Sequence, residues 1–147
     1  MTLRIFLTTA FALISFSVAA QTCRLDIGGK DVKSIIEVFQ LRETQVVLLD
    51  SLRTELSEET GRLEVQIEEL LAKHPQSTEE ELVQLADKYK VLQQRLLAAS
   101  YESDKTLLSA FNAKQYQRYL ELCRAALRMP IEVTPMVYGD SSDPEQH

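Results

Sequence analysis

The sequence predicts an all-α fold of about four helices around a long antiparallel helical hairpin, and three observations carry that expectation. Between Leu41 and Phe111, apolar residues recur at three- and four-residue steps. Leu49, Leu52, Leu56, Leu63 and Leu70 form the first series, and Leu82, Leu85, Tyr89, Leu92 and Leu96 the second. That period winds them into one stripe along a helix. The pattern breaks once, at Lys73-His74-Pro75-Gln76-Ser77, and a short polar link makes its flanking helices antiparallel neighbours. Each segment is about 30 residues, roughly 45 Å at 1.5 Å per residue. Neither can bury its stripe alone, so the two fold back on each other or pair with another chain.

The chain has 147 residues, room for one domain. Residues 1–20 read as a signal peptide: Arg4 supplies the positive start, residues 5–18 are almost wholly apolar, and Ala19-Ala20 offer a cleavage site. The apolar run is short for a membrane span of about 20 residues, which disfavours an uncleaved anchor. Ala20-Gln21-Thr22 does not suit a lipidated Cys23, so the expected product is exported, without stable membrane insertion after cleavage. A net charge of −6 argues against nucleic acid as a partner. Two cysteines in an exported chain favour a Cys23–Cys123 disulfide over two free thiols.

Residues 21–30, with Gly28-Gly29, read as an irregular lead-in before a helical domain over 31–128. Asp31 can cap a short helix carrying Val32, Ile35, Ile36, Val38 and Phe39. The first long segment follows, and Gly61 inside it signals a bend or a close helix contact. Pro75 disfavours helical geometry at His74 and ends that segment. The hairpin turn is therefore His74, Pro75, Ser77 and Thr78, with Ser77–Glu80 or Thr78–Glu81 as the capping box of the next helix. Glu79, Glu80 and Glu81 suit its positive end. The second stripe shifts phase near Ala99 to Leu97, Tyr101 and Leu108, which predicts an interruption or bend within Ser100–Lys105. Asn112 and Gln115 form a further capping box, with Phe111 stapling against Tyr116, for a last helix that carries Tyr119, Leu122, Cys123, Ala126 and Leu127 to a stop at Met129-Pro130. Residues 129–147 are expected to be extended or disordered, although Ile131, Val133, Met136, Val137 and Tyr138 are apolar enough for the segment to dock.

Leu41-Arg42-Glu43-Thr44-Gln45 and Phe111-Asn112-Ala113-Lys114-Gln115 look like two degenerate copies of one pentapeptide. The chain resembles in this the LTxxQ-motif family of small exported bacterial helical proteins, which includes the periplasmic chaperone Spy, the envelope-stress regulator CpxP and zinc-resistance-associated relatives. Leu41 and Phe111 fill the leading apolar position, and Gln45 and Gln115 the closing one. Asn112 replaces the capping Thr with an equivalent group. Arg42 cannot cap, which makes the first motif a bend in a continuous helix.

The resemblance implies a periplasmic, ATP-independent chaperone of unfolded or partly folded exported proteins, or an envelope-stress modulator bound to a sensor. The long stripes favour a homodimer. A catalytic reading finds no Gly-rich phosphate loop and no nucleophile motif, so neither an enzyme nor a cofactor is expected. His74 and His147 lack a spaced metal partner, and Glu68-Glu69 and Glu79-Glu80-Glu81 read as solvated helix ends. A metal-responsive sensor and a structural coiled-coil component of an envelope assembly are the competing readings.

Overall fold

The computed structural model describes residues 21–136, so the signal-peptide segment 1–20 and residues 137–147 of the tail lie outside it. Among the described residues the fold is all-α, with four helices: α1 (Val32–Phe39), α2 (Glu43–Lys73), α3 (Glu79–Ser109) and α4 (Ala113–Ala125). Helices α2 and α3 pack closely, as the two limbs of a helical hairpin do, and α1 meets α4 at the base.

Asp31 caps α1 by accepting from the Ser34 N–H and hydroxyl, and those bonds hold its carboxyl below the ordinary value. The apolar side of α1, Val32, Ile35 and Phe39, enters the core. The helix stops at Gln40, which is left-handed (φ 49°), with the Gln40 N–H on the Glu37 carbonyl and the Leu41 N–H on the Ile36 carbonyl. Two tight bonds of this kind close a helix end. Arg42 is then extended, and α2 begins at Glu43. The first motif is thus a true break and not a bend. Arg42 indeed offers no side-chain acceptor, but Gln45 Oε1 accepts the Arg42 N–H at 2.9 Å, and that half of the box is enough to start a helix.

At the tip the Thr78–Glu81 box forms: the Glu81 N–H donates to Thr78 Oγ1, and Glu81 Oε2 accepts from the N–H groups of Ser77 and Thr78. The bond from Ser77 is the main reason the Glu81 carboxyl stays below its ordinary range. His74 is extended, as the residue before a proline should be, and its N–H closes α2 on the Leu70 carbonyl.

Gly61 lies within the uninterrupted α2, and a Cβ built there would meet nothing within 4 Å. Neither a close contact nor an interruption explains it. Gly61→Ala is therefore expected to stabilise the domain by up to about 1 kcal/mol, read as a higher urea midpoint at unchanged slope. A lower midpoint would show a constraint on Gly61 that its open surroundings hide.

The expected interruption within Ser100–Lys105 is absent, since α3 runs unbroken to Ser109. The phase shift marks a change of neighbour: Leu107 and Leu108 are buried in the basal core, Leu97 is 62% exposed, and Asp104 points inward. That core joins Leu49, Leu52 and Leu56 of α2 to Phe39, Phe111 and Tyr119. The Phe39 and Phe111 rings lie 5.0 Å apart.

The lead-in is irregular but not peripheral. Ile27 is fully buried in the core, and the Cys23–Cys123 disulfide ties this segment to α4. Residues 130–135 of the tail form neither helix nor strand and dock on the base, with Ile131 buried. Tyr119 holds both segments: its hydroxyl donates to the Cys23 carbonyl at 2.7 Å and accepts the Ile131 N–H at 2.8 Å. Burial pushes that phenol above its usual range.

Candidate functional site

The two motif glutamines, 70 residues apart in sequence, meet in the base. Gln45 Nε2 donates to Gln115 Oε1 at 2.8 Å, and Gln115 Nε2 donates to Gln45 Oε1 at 2.9 Å. Each Oε1 also accepts the N–H three residues before it, Arg42 for Gln45 and Asn112 for Gln115. Each remaining amide hydrogen reaches across to the opposite corner: Gln45 to the Ala110 carbonyl, and Gln115 to the Phe39 carbonyl with a longer contact to Gln40. Gln40 and Ala110 both stand five residues before their own glutamine, so the two corners are related by a local pseudo-twofold. Asn112 completes the second box by accepting the Gln115 N–H. Of the motif positions, Gln45, Phe111 and Gln115 are buried, while Leu41 is partly buried against the core.

Both amides are buried and every polar atom in them is satisfied, which makes the pair costly to break. Gln115→Ala would take one partner from each end of the Gln45 amide and strand the Phe39 carbonyl and the Asn112 N–H, and a loss of about 3 kcal/mol is expected in urea unfolding. Gln115→Glu keeps the cap acceptor and loses both donors, so it should fall nearly as far. A change under about 1 kcal/mol in both would show that water replaces the clasp readily.

Above this base the hairpin becomes a thin arm. Leu63 and Leu85 are its buried residues beyond Leu56, whereas Val65, Leu71, Leu82, Val83, Val91 and Leu97 are exposed. One side of the arm carries a shallow groove near the tip, floored by Leu70 and Leu92 and rimmed by Glu69, Lys73, Gln84 and Lys88. The other side shares the face on which the lead-in lies. A recess there is lined by Asp26, Gly28, Leu56, Thr60 and Ser100. Thr60 and Ser100 continue along that face, at helical spacing, to Ile67 and Leu71 of α2 and to Leu97, Tyr89 and Leu82 of α3. The arm therefore offers one groove with a largely apolar floor and a charged rim, and one apolar strip, both open to solvent.

Asp104 was not legible as a special residue. It is fully buried and accepts from the Arg24 guanidinium (3.2 Å) and the N–H groups of Leu25, Asp26 and Ile27. Its signal in the sequence was a carboxylate in the helical segment whose phase had shifted.

The other candidate positions form no common site. His74 sits at the tip with Nδ1 2.8 Å from the Pro75 carbonyl. Among the described residues no group of three or more His, Cys, Asp and Glu is placed to hold a metal ion, and no helix is long and apolar enough to cross a membrane. Geometry thus defines a class: a small helical domain with a disulfide-tied base and a projecting arm. Compared with protein-family models, curated proteins and solved structures, the chain finds no match.

Proposed function

We propose that the chain is an exported, ATP-independent binding protein of the Spy and CpxP kind, acting as a chaperone for unfolded or partly folded proteins or as an envelope-stress modulator. The observation that carries this reading is the arm. Six large aliphatic side chains stay exposed on two helices that share a single buried seam, among interleaved charges. Such a surface binds many sequences weakly, since burying one Leu or Val of a partner contributes about 1.5–3 kcal/mol. The paired motif glutamines support the reading by giving the resemblance a physical role: they fix the corner from which the arm projects. A homodimer through the apolar strips of two arms is the assembly this surface suits.

The test mixes the chain from Gln21 to His147 with a chemically unfolded client, without ATP, and follows aggregation by light scattering. Suppression near stoichiometric ratio is expected, and Leu82→Glu with Leu97→Glu should abolish it while leaving the base folded. No effect on several clients, with tight binding of one envelope sensor, would select the stress-modulator half of the reading. Zinc bound at micromolar strength with a change of oligomer would replace both. Sedimentation is expected to show a dimer at tens of micromolar, a roughly chosen concentration above common dissociation constants.

A further inference from the structure

We propose that the C-terminal end of α4, where Leu127 and Met129 stand out beside Arg124 and Arg128, is a contact surface for an anionic lipid bilayer. The helix ends there in a tight stop, with the Arg128 N–H on the Cys123 carbonyl and the Leu127 N–H on the Arg124 carbonyl. The residue at the centre of such a stop is left-handed and is usually glycine, because a side chain is strained there. Here it is Leu127, at φ 53° and 87% exposed. A bulky aliphatic is thus held in a strained conformation with its side chain in water, an arrangement that nothing in the fold rewards. Met129, two residues on, is 60% exposed.

Charge and chain connection select the occupant. Arg124 and Arg128 are exposed and form no ion pair among the described residues, while the nearby Glu121 is engaged by Arg118. From Leu122 to Met136 the chain has these two cations and one carboxylate, Glu132. The net charge of −6 does not cancel this local excess, because at physiological salt charges are screened over about 8 Å. The same patch is where the described chain begins: the Met129 N–H donates to the Gln21 carbonyl and the Cys23 N–H donates to the Met129 carbonyl. The apolar run of residues 5–18 joins within three residues of Gln21, a reach of about 10 Å. Before residues 1–20 are removed, that run in a bilayer would keep the Leu127 patch within this reach of the bilayer surface. A second protein fits less well, since two side chains fall far short of the roughly 800 Å² per partner of a stable interface. A bilayer needs no such area: each inserted side chain gains by itself, and arginines beside it meet the headgroups.

The experiment uses the chain from Gln21 to His147, which contains every residue of the described fold, so that residues 1–20 cannot bind for it. Co-sedimentation with vesicles of equal phosphatidylglycerol and phosphatidylcholine should retain it, far more weakly with phosphatidylcholine alone, and less as salt rises. Leu127→Gly should lower partitioning about tenfold or more while raising the thermal midpoint, because glycine suits the left-handed position. A variant that is more stable and yet binds less separates contact from folding. Arg124→Gln and Arg128→Gln should each cost about fivefold. Absence of retention on the anionic vesicles at low salt would overturn the proposal. So would binding within twofold of the parent for Leu127→Gly and the double arginine variant. Leu127-dependent capture of an unfolded polypeptide without vesicle retention would also overturn it and assign the patch to protein.

Discussion

Asp104→Ala is expected to destabilise the domain by about 3–5 kcal/mol, the range for breaking a buried ionic pair from one side. The carboxylate is fully buried and gathers the Arg24 guanidinium with three successive backbone N–H groups, from Leu25 to Ile27. Removing it leaves those N–H groups without an acceptor and a methyl where the lead-in was pinned. Asp104→Asn retains one acceptor oxygen and should lose about half as much. The local consequence is as diagnostic as the global one. Trypsin should cut after Arg24 far faster in Asp104→Ala, while circular dichroism still reports α2 and α3 as helical. Stability within about 1 kcal/mol of the parent and unchanged cleavage at Arg24 would mean that Asp104 does not anchor the segment.

Cys23→Ser with Cys123→Ser is expected to cost up to about 4.7 kcal/mol in the chain-entropy model, because the bridge closes a loop of 100 residues. For a domain of this size that upper value corresponds to a fall of about 18 °C in the thermal midpoint. Much of the effect resides in the unfolded chain, so the urea slope should rise as the unconstrained chain exposes more surface. A midpoint lowered by less than about 3 °C would show that strain or residual structure offsets the cross-link. The bridge and Asp104 grip adjacent residues of one segment, at Cys23 and from Arg24 to Ile27. Their losses should therefore be coupled by more than about 0.5 kcal/mol, whereas the gain from Gly61→Ala should add independently to either.

Several expectations turned on whether a local signal had a local cause. The turn at His74-Pro75 and the Thr78–Glu81 box were legible because a proline and a capping pair act on their own backbone neighbours. The start of α2 was misjudged for the opposite reason. Arg42 has no acceptor to offer, and the acceptor that serves its N–H is Gln45, whose amide is held in place by Gln115 70 residues away. The predicted break within Ser100–Lys105 read a change of partner as a change of helix. Asp104 there accepts from the lead-in's N–H groups, and Ser103 bonds back to the Ala99 carbonyl of its own helix, so α3 carries these residues without interruption.

By itself, the sequence determined the all-α class, the hairpin turn, the capping box at the second motif and the parity of the two cysteines. These follow from periodicity, capping and compartment chemistry, which operate over a few residues or on composition. Tertiary structure decided the rest. It joined Gln45 to Gln115 and made Asp104 an anchor, and it turned the lead-in and the tail into parts of the core. It also left the arm's aliphatics and Leu127 in water. The physical reason is common to all of them: a buried amide, a buried carboxylate and an exposed leucine are distinguished only by what folds against them, and that is set by contacts between residues far apart in the chain.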